Sequence, residues 1–260
     1  MAAFIGEAVQ SVLNQTYQHW ELIVIENGSK DETLQVLSNY NDPRIKVFQA
    51  DKVGLSNARN IGLKTALGEF ICFLDADDKL PEGSIEARVS HFIRFPDITF
   101  LDGRVITYNN DLTEVLRDWI PDFRGMPEVE MALLAPRCFA GITWMIRVKP
   151  QMKLEFDESW THLEDRVFFL NIAKYGKYDF LDECIYIIRR RSGSLMADHA
   201  ALEQAYVRFM NHVKALNLLP QAVYIEEQKK FHSIFFKTYL KQLSVFKAIR
   251  HFYKRILLSF

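Results

Sequence analysis

The sequence predicts an α/β fold, in which a mostly parallel β-sheet is flanked by helices and followed by a helical C-terminal extension. Three observations support this prediction. Short apolar runs of strand type alternate with amphipathic helical patterns between residues 4 and 74. Two of those runs end in clusters of polar residues, and the pattern from Asp198 onward is helical. A hydrophobic content of 49% in 260 residues is sufficient for a sizeable core.

The first part of this alternation is regular. Apolar residues at helical spacing predict a helix over residues 4–15, and the run ELIVI at 21–25 predicts a buried strand. Ser29 and Glu32 have the S-x-x-E spacing of a capping box, which predicts that a short helix begins there. A second strand is expected at 45–49 and a further helix at 56–67.

The next predicted strand, residues 69–74, ends in three carboxylates within four residues: Asp75, Asp77 and Asp78. Such groups repel one another, so the fold has to expose them to water or use them to hold a cation. Oxygen ligands suit Mg²⁺ or Mn²⁺, whose open side binds phosphate oxygens. The alternative is an acidic turn that caps the next helix, because Pro81 suits a first helical turn.

The order strand, helix, strand, helix, strand decides between these interpretations. It is typical of parallel strands, whose carboxyl ends lie at one edge of the sheet, where ligands bind. A polar cluster that includes Glu26 and Asn27 follows one strand, and the acidic cluster follows another. The sequence therefore favours a binding site at this edge over a chance acidic turn.

The rest of the main domain continues the alternation less regularly. The predicted elements are a helix from Pro81 to Phe95, strands at 97–101 and 104–108, a mobile loop region at 109–136 with one short helix near 128–134, a strand at 139–148, a helix from His162 to Tyr175, a strand at 178–188 and a basic turn at 189–194. Trp144, Trp160 and Phe168 are interpreted as core residues, although Trp160 is close enough to Asp165 in sequence to stack on an acceptor.

The C-terminal extension is basic and aromatic. No acidic residue follows Glu227, whereas eight Lys and Arg residues follow it, interleaved with Phe and Tyr. A helix of this kind either lies on an anionic membrane surface or packs its aromatic side on the main domain. The composition slightly favours the membrane.

Charge and cysteine content narrow the range of functions. The formal net charge of −1 gives no basis for a nucleic-acid partner. Cys72, Cys138 and Cys184 are far apart and lie among apolar residues, so buried free thiols in a reducing compartment are expected. With no signal peptide and no apolar run long enough to span a bilayer, the protein is predicted to be cytoplasmic. A peripheral position on the inner face of the cytoplasmic membrane is the alternative.

Four stretches occur in a distinctive order: FIGEAVQSVLNQTYQHW at 4–20, ELIVIENGSKDE at 21–32, GLSNARNIGLKTALGEFICFLDADD at 54–78 and WTHLEDRVFF at 160–169. Together they resemble the family 2 glycosyltransferases, which have the GT-A fold. The resemblance covers roughly residues 4–196, so it implies a GT-A domain at 1–196 and a helical extension at 197–260. The Asp-x-Asp motif alone would be weak support, but the ordered set is strong.

The resemblance assigns roles to residues of a donor site. Glu26 and Asn27 stand where the family contacts the nucleotide base, and Arg59 matches an arginine near the nucleotide. Asp75 and Asp77 match the Asp-x-Asp (DXD) pair, with Asp75 toward the ribose and Asp77 toward the metal ion, Mn²⁺ or Mg²⁺.

Two further segments receive roles in the same way. Arg190 and Arg191 belong to the basic turn at 189–194, which resembles a segment that closes over the diphosphate. Asp165 matches the general base, and Glu164 is its neighbour. Without the resemblance, Asp165 would be interpreted as an ordinary acid in the first turn of a helix.

The implied activity is metal-dependent, inverting transfer of a hexosyl group from a nucleotide-diphosphate sugar, a UDP-sugar first, to a hydroxyl of a glycan or lipid-linked acceptor in cell-surface polysaccharide synthesis. The leaving diphosphate needs a divalent cation or fixed positive groups, and a carboxylate opposite it can take the proton of the attacking hydroxyl. A non-catalytic nucleotide-sugar-binding or scaffold protein of the same fold is the alternative. A nucleotidyltransferase would require a Gly-rich basic loop after its first strand, which the sequence lacks.

The start of the sequence departs from the family pattern. The family begins with an apolar strand before the first helix, whereas here Met1 is followed almost at once by that helix. The expected consequences are unpaired backbone groups along the neighbouring strands and an incomplete pocket for the base. The departure is interpreted as a start downstream of the true one, with a degenerate, inactive copy as the alternative.

Overall fold

The computed structural model describes residues 1–191 and 198–258, in which helices alternate with strands as far as residue 189 and further helices follow. The helices are α1 (Ala2–Leu13), α2 (Thr33–Leu37), α3 (Leu55–Thr65), α4 (Ser84–Arg94), α5 (Glu128–Ala132), α6 (Glu164–Ile172), α7 (His199–Ala215), α8 (Gln221–Lys241) and α9 (Val245–Leu257). The strands are β1 (Leu22–Glu26), β2 (Ile45–Gln49), β3 (Phe70–Ile71), β4 (Ile98–Tyr108), β5 (Val115–Trp119), β6 (Met145–Arg147) and β7 (Lys177–Arg189).

The strands form two sheets. β1 and β2 pair in parallel, with Leu22 opposite Ile45 and Glu26 opposite Gln49. In the second sheet the strand order is β3, β6, β4, β5, and β7 also pairs with β4. β7 is parallel to β4, whereas β6 is antiparallel to both β3 and β4, and β5 is antiparallel to β4.

The α/β class is therefore confirmed, but the pairing is more mixed than the mostly parallel sheet that the sequence predicts. Of the five strand pairs described, two are parallel and three are antiparallel. A short turn is enough to join antiparallel neighbours such as β4 and β5. β6 is reached through a long irregular segment and not through a helical crossover, and the residue pattern of a buried strand carries no information about its direction.

β1 and β3 belong to different sheets, and in the described part of the chain each has a single strand partner. β3 is shorter than the predicted strand, because it ends at Ile71 and residues 72–74 are irregular. Ala76 nevertheless packs in one small apolar cluster with Val24 and Ile5, so the acidic segment lies beside β1.

Several predicted elements differ from the structure in their bounds. Residues 97–101 and 104–108 form one strand, β4, with Asp102 fully buried in its centre, where Tyr178 donates a hydrogen bond to its carboxylate at 3.4 Å. The loop region at 109–136 contains the predicted short helix, α5, but also β5. The strand predicted at 139–148 is limited to β6.

The capping box predicted at Ser29 and Glu32 does not form. α2 begins at Thr33 and has no side-chain cap from Glu32. The Asp31 carboxylate instead accepts hydrogen bonds from the first residue of α2, from the Thr33 hydroxyl at 2.5 Å and from the Thr33 amide at 3.3 Å. The same carboxylate accepts a hydrogen bond from the amino group of Met1, and this bond connects α1 to the start of α2.

The main core forms around Trp144, which is fully buried. Its ring centroid lies 4.7–5.3 Å from those of Phe100, Phe169 and Tyr178, which come from β4, α6 and β7. Trp160 is buried as well, with the Arg208 guanidinium 4.0 Å from its ring centroid, so it is not an open platform for a sugar.

The C-terminal helices share this core. Phe209 of α7 and Phe235 of α8 are buried in the same apolar cluster as Trp144, as is Ala248 of α9. The predicted boundary between residues 196 and 197 falls outside the described residues. The three cysteines are free, as predicted, although Cys72 and Cys184 are only partly buried.

Candidate active site

Arg59 connects the acidic segment after β3 with the start of α6. It projects from α3, and its side chain is only 9% exposed. One guanidinium nitrogen donates to Asp75 Oδ1 at 3.2 Å, and the other donates to Glu164 Oε1 at 3.0 Å. Three residues that the sequence assigns to the site are therefore in direct contact, although Arg59 and Glu164 are 105 residues apart in the chain.

Asn60, the next residue of α3, holds the segment that leads to α6. Its side-chain amide exchanges two hydrogen bonds with the backbone of Phe156, at 2.7 and 2.9 Å. The Phe156 ring stacks on Phe168 of α6, with centroids 4.1 Å apart. α3 thus positions α6 both through this clamp and through Arg59. Asn60 was not predicted from the sequence, although it follows Arg59 directly in the Ala-Arg-Asn run.

Asp165 lies in the first turn of α6, beside Glu164. Leu163 precedes the helix in a left-handed conformation, with φ of 60°, and one Asp165 oxygen accepts the Arg166 amide at 2.7 Å. The carboxylate keeps partial contact with solvent but is surrounded by protein atoms. Burial, and secondly the charge of Glu164, raise the pKa of Asp165 to about 6, while Arg59 opposes the increase. Such a carboxylate is mostly ionised at neutral pH and is a stronger base than an ordinary aspartate.

The two carboxylates that follow Asp75 lie in different environments. Asp77 is partly exposed, and its Oδ2 forms an ion pair with Arg191 at 3.0 Å. Asp78 is buried and accepts a hydrogen bond from the Arg189 amide at 2.8 Å. Burial raises the pKa of Asp78 to about 7, and the neighbouring charges of Asp75 and Asp77 add to this effect. The repulsion within the acidic cluster is therefore reduced, because Asp78 is buried and its raised pKa favours the uncharged carboxyl.

Tyr186 of β7 supports the acidic segment from inside the protein. Its buried hydroxyl accepts a hydrogen bond from the Asp75 amide at 3.0 Å and is also bonded to the Asp78 carboxylate. Tyr186 was missed by sequence reasoning, because it is an ordinary residue of a predicted strand and lies 111 residues from Asp75.

The three arginines at the end of β7 have different surroundings. Arg189 is buried and donates to the backbone oxygen of Asp77 at 3.0 Å and to the Glu7 carboxylate at 2.9 Å, so it holds the acidic segment in place. Arg190 is exposed, and Arg191 pairs with the side chain of Asp77. The rest of the predicted basic turn, residues 192–194, lies outside the described residues.

Glu26 and Asn27 lie at the carboxyl end of β1, as predicted. The Glu26 carboxylate accepts a hydrogen bond from the Ser29 amide. Asn27 Oδ1 accepts a hydrogen bond from the Gly54 amide at 2.8 Å, and this bond connects the end of β1 to the start of α3. Directly after Asn27, Gly28 has φ of +80°, where a Cβ would lie 2.5 Å from a neighbouring valine methyl, so the turn requires glycine. Within the two described ranges, no hydrogen bond joins Glu26 or Asn27 to the acidic segment.

Asp75 and Asp77 are the residues that fit a divalent cation. Both carboxylates are partly exposed, and ions such as Mg²⁺ are usually bound through one or two carboxylates together with substrate phosphates and water. Among the residues that the structure describes, no group of three or more His, Cys, Asp or Glu is arranged to hold a metal ion. The two carboxylates fit an ion whose other ligands come from a substrate and water.

The sequence model described as Glycosyl transferase family 2 matches residues 2–152, more than half of the chain. The chain belongs to glycosyl transferase family 2. The match confirms the resemblance inferred from the sequence. It includes Glu26, Arg59, Asp75 and Asp77 but ends before Asp165, and the roles of all these residues stay predictions.

This family 2 chain is 30% identical over 171 residues to UDP-Glc:alpha-D-GlcNAc-diphosphoundecaprenol beta-1,3-glucosyltransferase WfgD of Escherichia coli. The alignment covers 65% of this chain and 64% of WfgD. The chain thus spans slightly less than two thirds of the length of this curated relative.

Two solved structures have the same fold. TarS of S. aureus, crystallised with UDP-GlcNAc, superposes with a TM-score of 0.68 and 23% identity over 88% of this chain and 68% of the TarS chain. The mannosyltransferase PcManGT of Pyrobaculum calidifontis, in complex with GDP-Man and Mn²⁺, superposes with a TM-score of 0.60 and 16% identity. The superposition covers 96% of this chain and 70% of the PcManGT chain. These likenesses confirm a fold of the GT-A type.

Proposed function

We propose that this chain is an inverting glycosyltransferase that moves a sugar from a nucleotide-diphosphate donor to a hydroxyl group. The observation that carries the proposal is the contact of Arg59 with both Asp75 and Glu164. This contact holds Asp75, a residue of the proposed sugar-donor site, next to the helix that carries the candidate base, Asp165. A single base opposite the leaving group gives direct displacement and inversion.

Asp165 is the proposed general base. With a pKa of about 6 it is ionised at neutral pH and accepts the proton of the attacking hydroxyl as the new bond forms. Glu164 is a positioning residue, since its carboxylate is occupied by Arg59 at 3.0 Å. Base assistance of this kind typically contributes ~10²–10⁴-fold to the rate.

Asp75, Asp77, Arg190 and Arg191 form the proposed donor site, with Glu26 and Asn27 toward the base of the nucleotide. Asp77 would hold Mn²⁺ or Mg²⁺, with Asp75 toward the ribose, and the ion would neutralise charge on the departing diphosphate. Arg191 is proposed to bind a diphosphate oxygen, and its contact with Asp77 at 3.0 Å supports this role.

The proposed substrates follow the chemistry of the relatives. WfgD is named for a UDP-glucose donor and a lipid-diphosphate acceptor, and TarS was crystallised with UDP-GlcNAc. A UDP-hexose is accordingly the first donor to test, with a lipid-linked glycan as acceptor, in the synthesis of a cell-surface polysaccharide.

The proposed organisation is a catalytic domain at 1–196 with a helical extension at 197–260. A cytoplasmic location suits the three free thiols, which a reducing compartment would preserve.

Calorimetry with UDP and Mn²⁺, followed by a hydrolysis assay over a panel of nucleotide sugars, tests the proposal. We expect binding and turnover of at least one donor, and loss of both in Asp77→Ala. Asp118→Ala is the matched control, because Asp118 is an exposed carboxylate that pairs with Arg104 in the same type of contact, at 3.0 Å. Binding without turnover of any donor would instead support a non-catalytic nucleotide-sugar-binding protein.

A further inference from the structure

α9 leaves its large apolar side chains largely exposed, although the Phe252 ring contacts that of Phe236 on α8, with centroids 5.7 Å apart. The residues it buries are Ala248 and His251, and His251 packs against the rings of Phe235 and Tyr239 on α8. Phe246, by contrast, is 91% exposed. This is the reverse of an ordinary surface helix, whose apolar stripe faces the core.

The exposed apolar residues form one stripe. Phe246, Ile249, Tyr253 and Leu257 follow one another at intervals of three or four residues, so they share a face of the helix. Tyr253 is 61% exposed and Leu257 74% exposed. Leu243, in the turn before α9, extends the stripe, since it is 86% exposed and has a left-handed φ of 57°. The described part of the chain covers only a small part of this leucine, although its backbone conformation is strained.

A basic stripe runs beside the apolar one. Lys247, Arg250 and Lys254 are also spaced by three and four residues, and all three are exposed. Arg250 forms an ion pair with Glu203 of α7 at 2.5 Å. α9 itself carries no acidic residue, because none occurs in the sequence after Glu227.

We propose that α9 docks on an anionic lipid bilayer, with the apolar stripe among the acyl chains and the basic stripe at the headgroups. An apolar face beside a basic flank is typical of helices that lie in the plane of the membrane interface. α9 has 13 residues, and in the described part of the chain no helix is long and apolar enough to cross a membrane. The contact is therefore peripheral.

A second copy of this chain is the competing occupant of the same face. A two-fold contact through α9 would bring Lys247 and Lys254 of one copy close to those of the other, and like charges oppose such a contact. An anionic bilayer complements both stripes at once, which is why we choose it over self-association.

Flotation of the full chain with vesicles tests the proposal and needs no sugar donor, so its result is independent of the proposed transferase activity. Vesicles of phosphatidylglycerol with phosphatidylcholine are compared with vesicles of phosphatidylcholine alone. One variant carries Phe246→Ser with Leu257→Ser, and a second carries Lys247→Gln with Lys254→Gln. The matched control carries Leu67→Ser with Ile93→Ser, which removes two exposed apolar side chains elsewhere on the surface.

We expect binding to the anionic vesicles that falls roughly tenfold or more when the apolar residues are removed. Each lysine removed should weaken binding about fivefold, and added salt should weaken it further. The control variant should bind like the wild type. Equal binding of all variants would overturn the proposal, as would a dimer in light scattering that dissociates on Phe246→Ser while no vesicle binding occurs.

Discussion

The guanidinium of Arg59 donates a hydrogen bond to the Glu164 carboxylate at 3.0 Å, and this bond joins α3 to the helix that begins with Glu164 and Asp165. The second nitrogen of the same guanidinium bonds Asp75 at 3.2 Å. Since the Arg59 side chain is almost fully buried, the acidic segment and the candidate base are held in a fixed relationship.

Arg59 and Glu164 should move the pH dependence of turnover in opposite directions. The charge of Arg59 lowers the pKa of Asp165 and that of Glu164 raises it. Arg59→Met should therefore shift the acid limb of the pH–rate profile to higher pH, and Glu164→Gln should shift it to lower pH. At pH 6 we expect the rate of Arg59→Met to fall roughly three- to tenfold from this cause. A shift of both variants in the same direction would contradict the assignment of Asp165.

Arg191 should contribute to donor binding and not to proton transfer. Arg191→Gln removes a charge-assisted contact to a diphosphate, so the Kd for UDP measured with Mn²⁺ should rise about tenfold or more. The acid limb of the pH–rate profile should stay where it is. Arg104→Gln, which breaks the exposed pair with Asp118, should leave both quantities unchanged. An unaltered Kd in Arg191→Gln would remove this residue from the donor site.

Asp102 should make the protein less stable as the pH rises. Burial raises the pKa of this carboxyl to about 7, so the folded state retains its proton after the unfolded chain has lost it. The free energy of unfolding should decrease between about pH 4 and pH 8 by on the order of 1–4 kcal/mol from this group. Chemical denaturation at pH 5 and pH 8 measures this decrease, which Asp102→Asn should reduce. An equal decrease in wild type and variant would show that Asp102 is not responsible.

Tyr186 should stabilise the acidic segment through its hydroxyl group. Tyr186→Phe leaves the Asp75 amide without this acceptor and Asp78 without one of its partners. We expect a loss of about 1–3 kcal/mol in the free energy of unfolding, together with weaker donor binding. Tyr253→Phe removes a hydroxyl from an exposed ring and serves as the control, with no expected effect on either quantity.

Much of the site could be predicted from the sequence, because its residues occur in short local motifs. Arg59, Asp75 and Glu164 were each assigned by motif, and the structure brings them into contact. Tyr186 could not be predicted, since its role arises from a contact between residues 111 positions apart. The Asp-x-Asp motif assigned Asp77 and not Asp78 to the site, but the burial of Asp78 could not be predicted, because it depends on contacts with the distant strand β7.

The fold was predictable in class but not in detail. Alternating strand and helix patterns indicated an α/β fold, but they do not report strand direction, and β6 turned out antiparallel to its neighbours. The capping box predicted at Ser29 was wrong. The side chain that is hydrogen-bonded to Thr33, the first residue of α2, is that of Asp31. Strand lengths depend on partners: β3 ends at Ile71 where its pairing with β6 ends.

Nucleotide release from the best donor, measured for wild type, Asp165→Asn and the exposed control Asp182→Asn, tests the central claim most directly. We expect Asp165→Asn to lower turnover about 10²–10⁴-fold with nearly unchanged melting temperature and donor Kd, since the substitution keeps the shape of the side chain but removes the base. Asp182→Asn should behave like the wild type. Wild-type turnover by Asp165→Asn would contradict the proposed catalytic site.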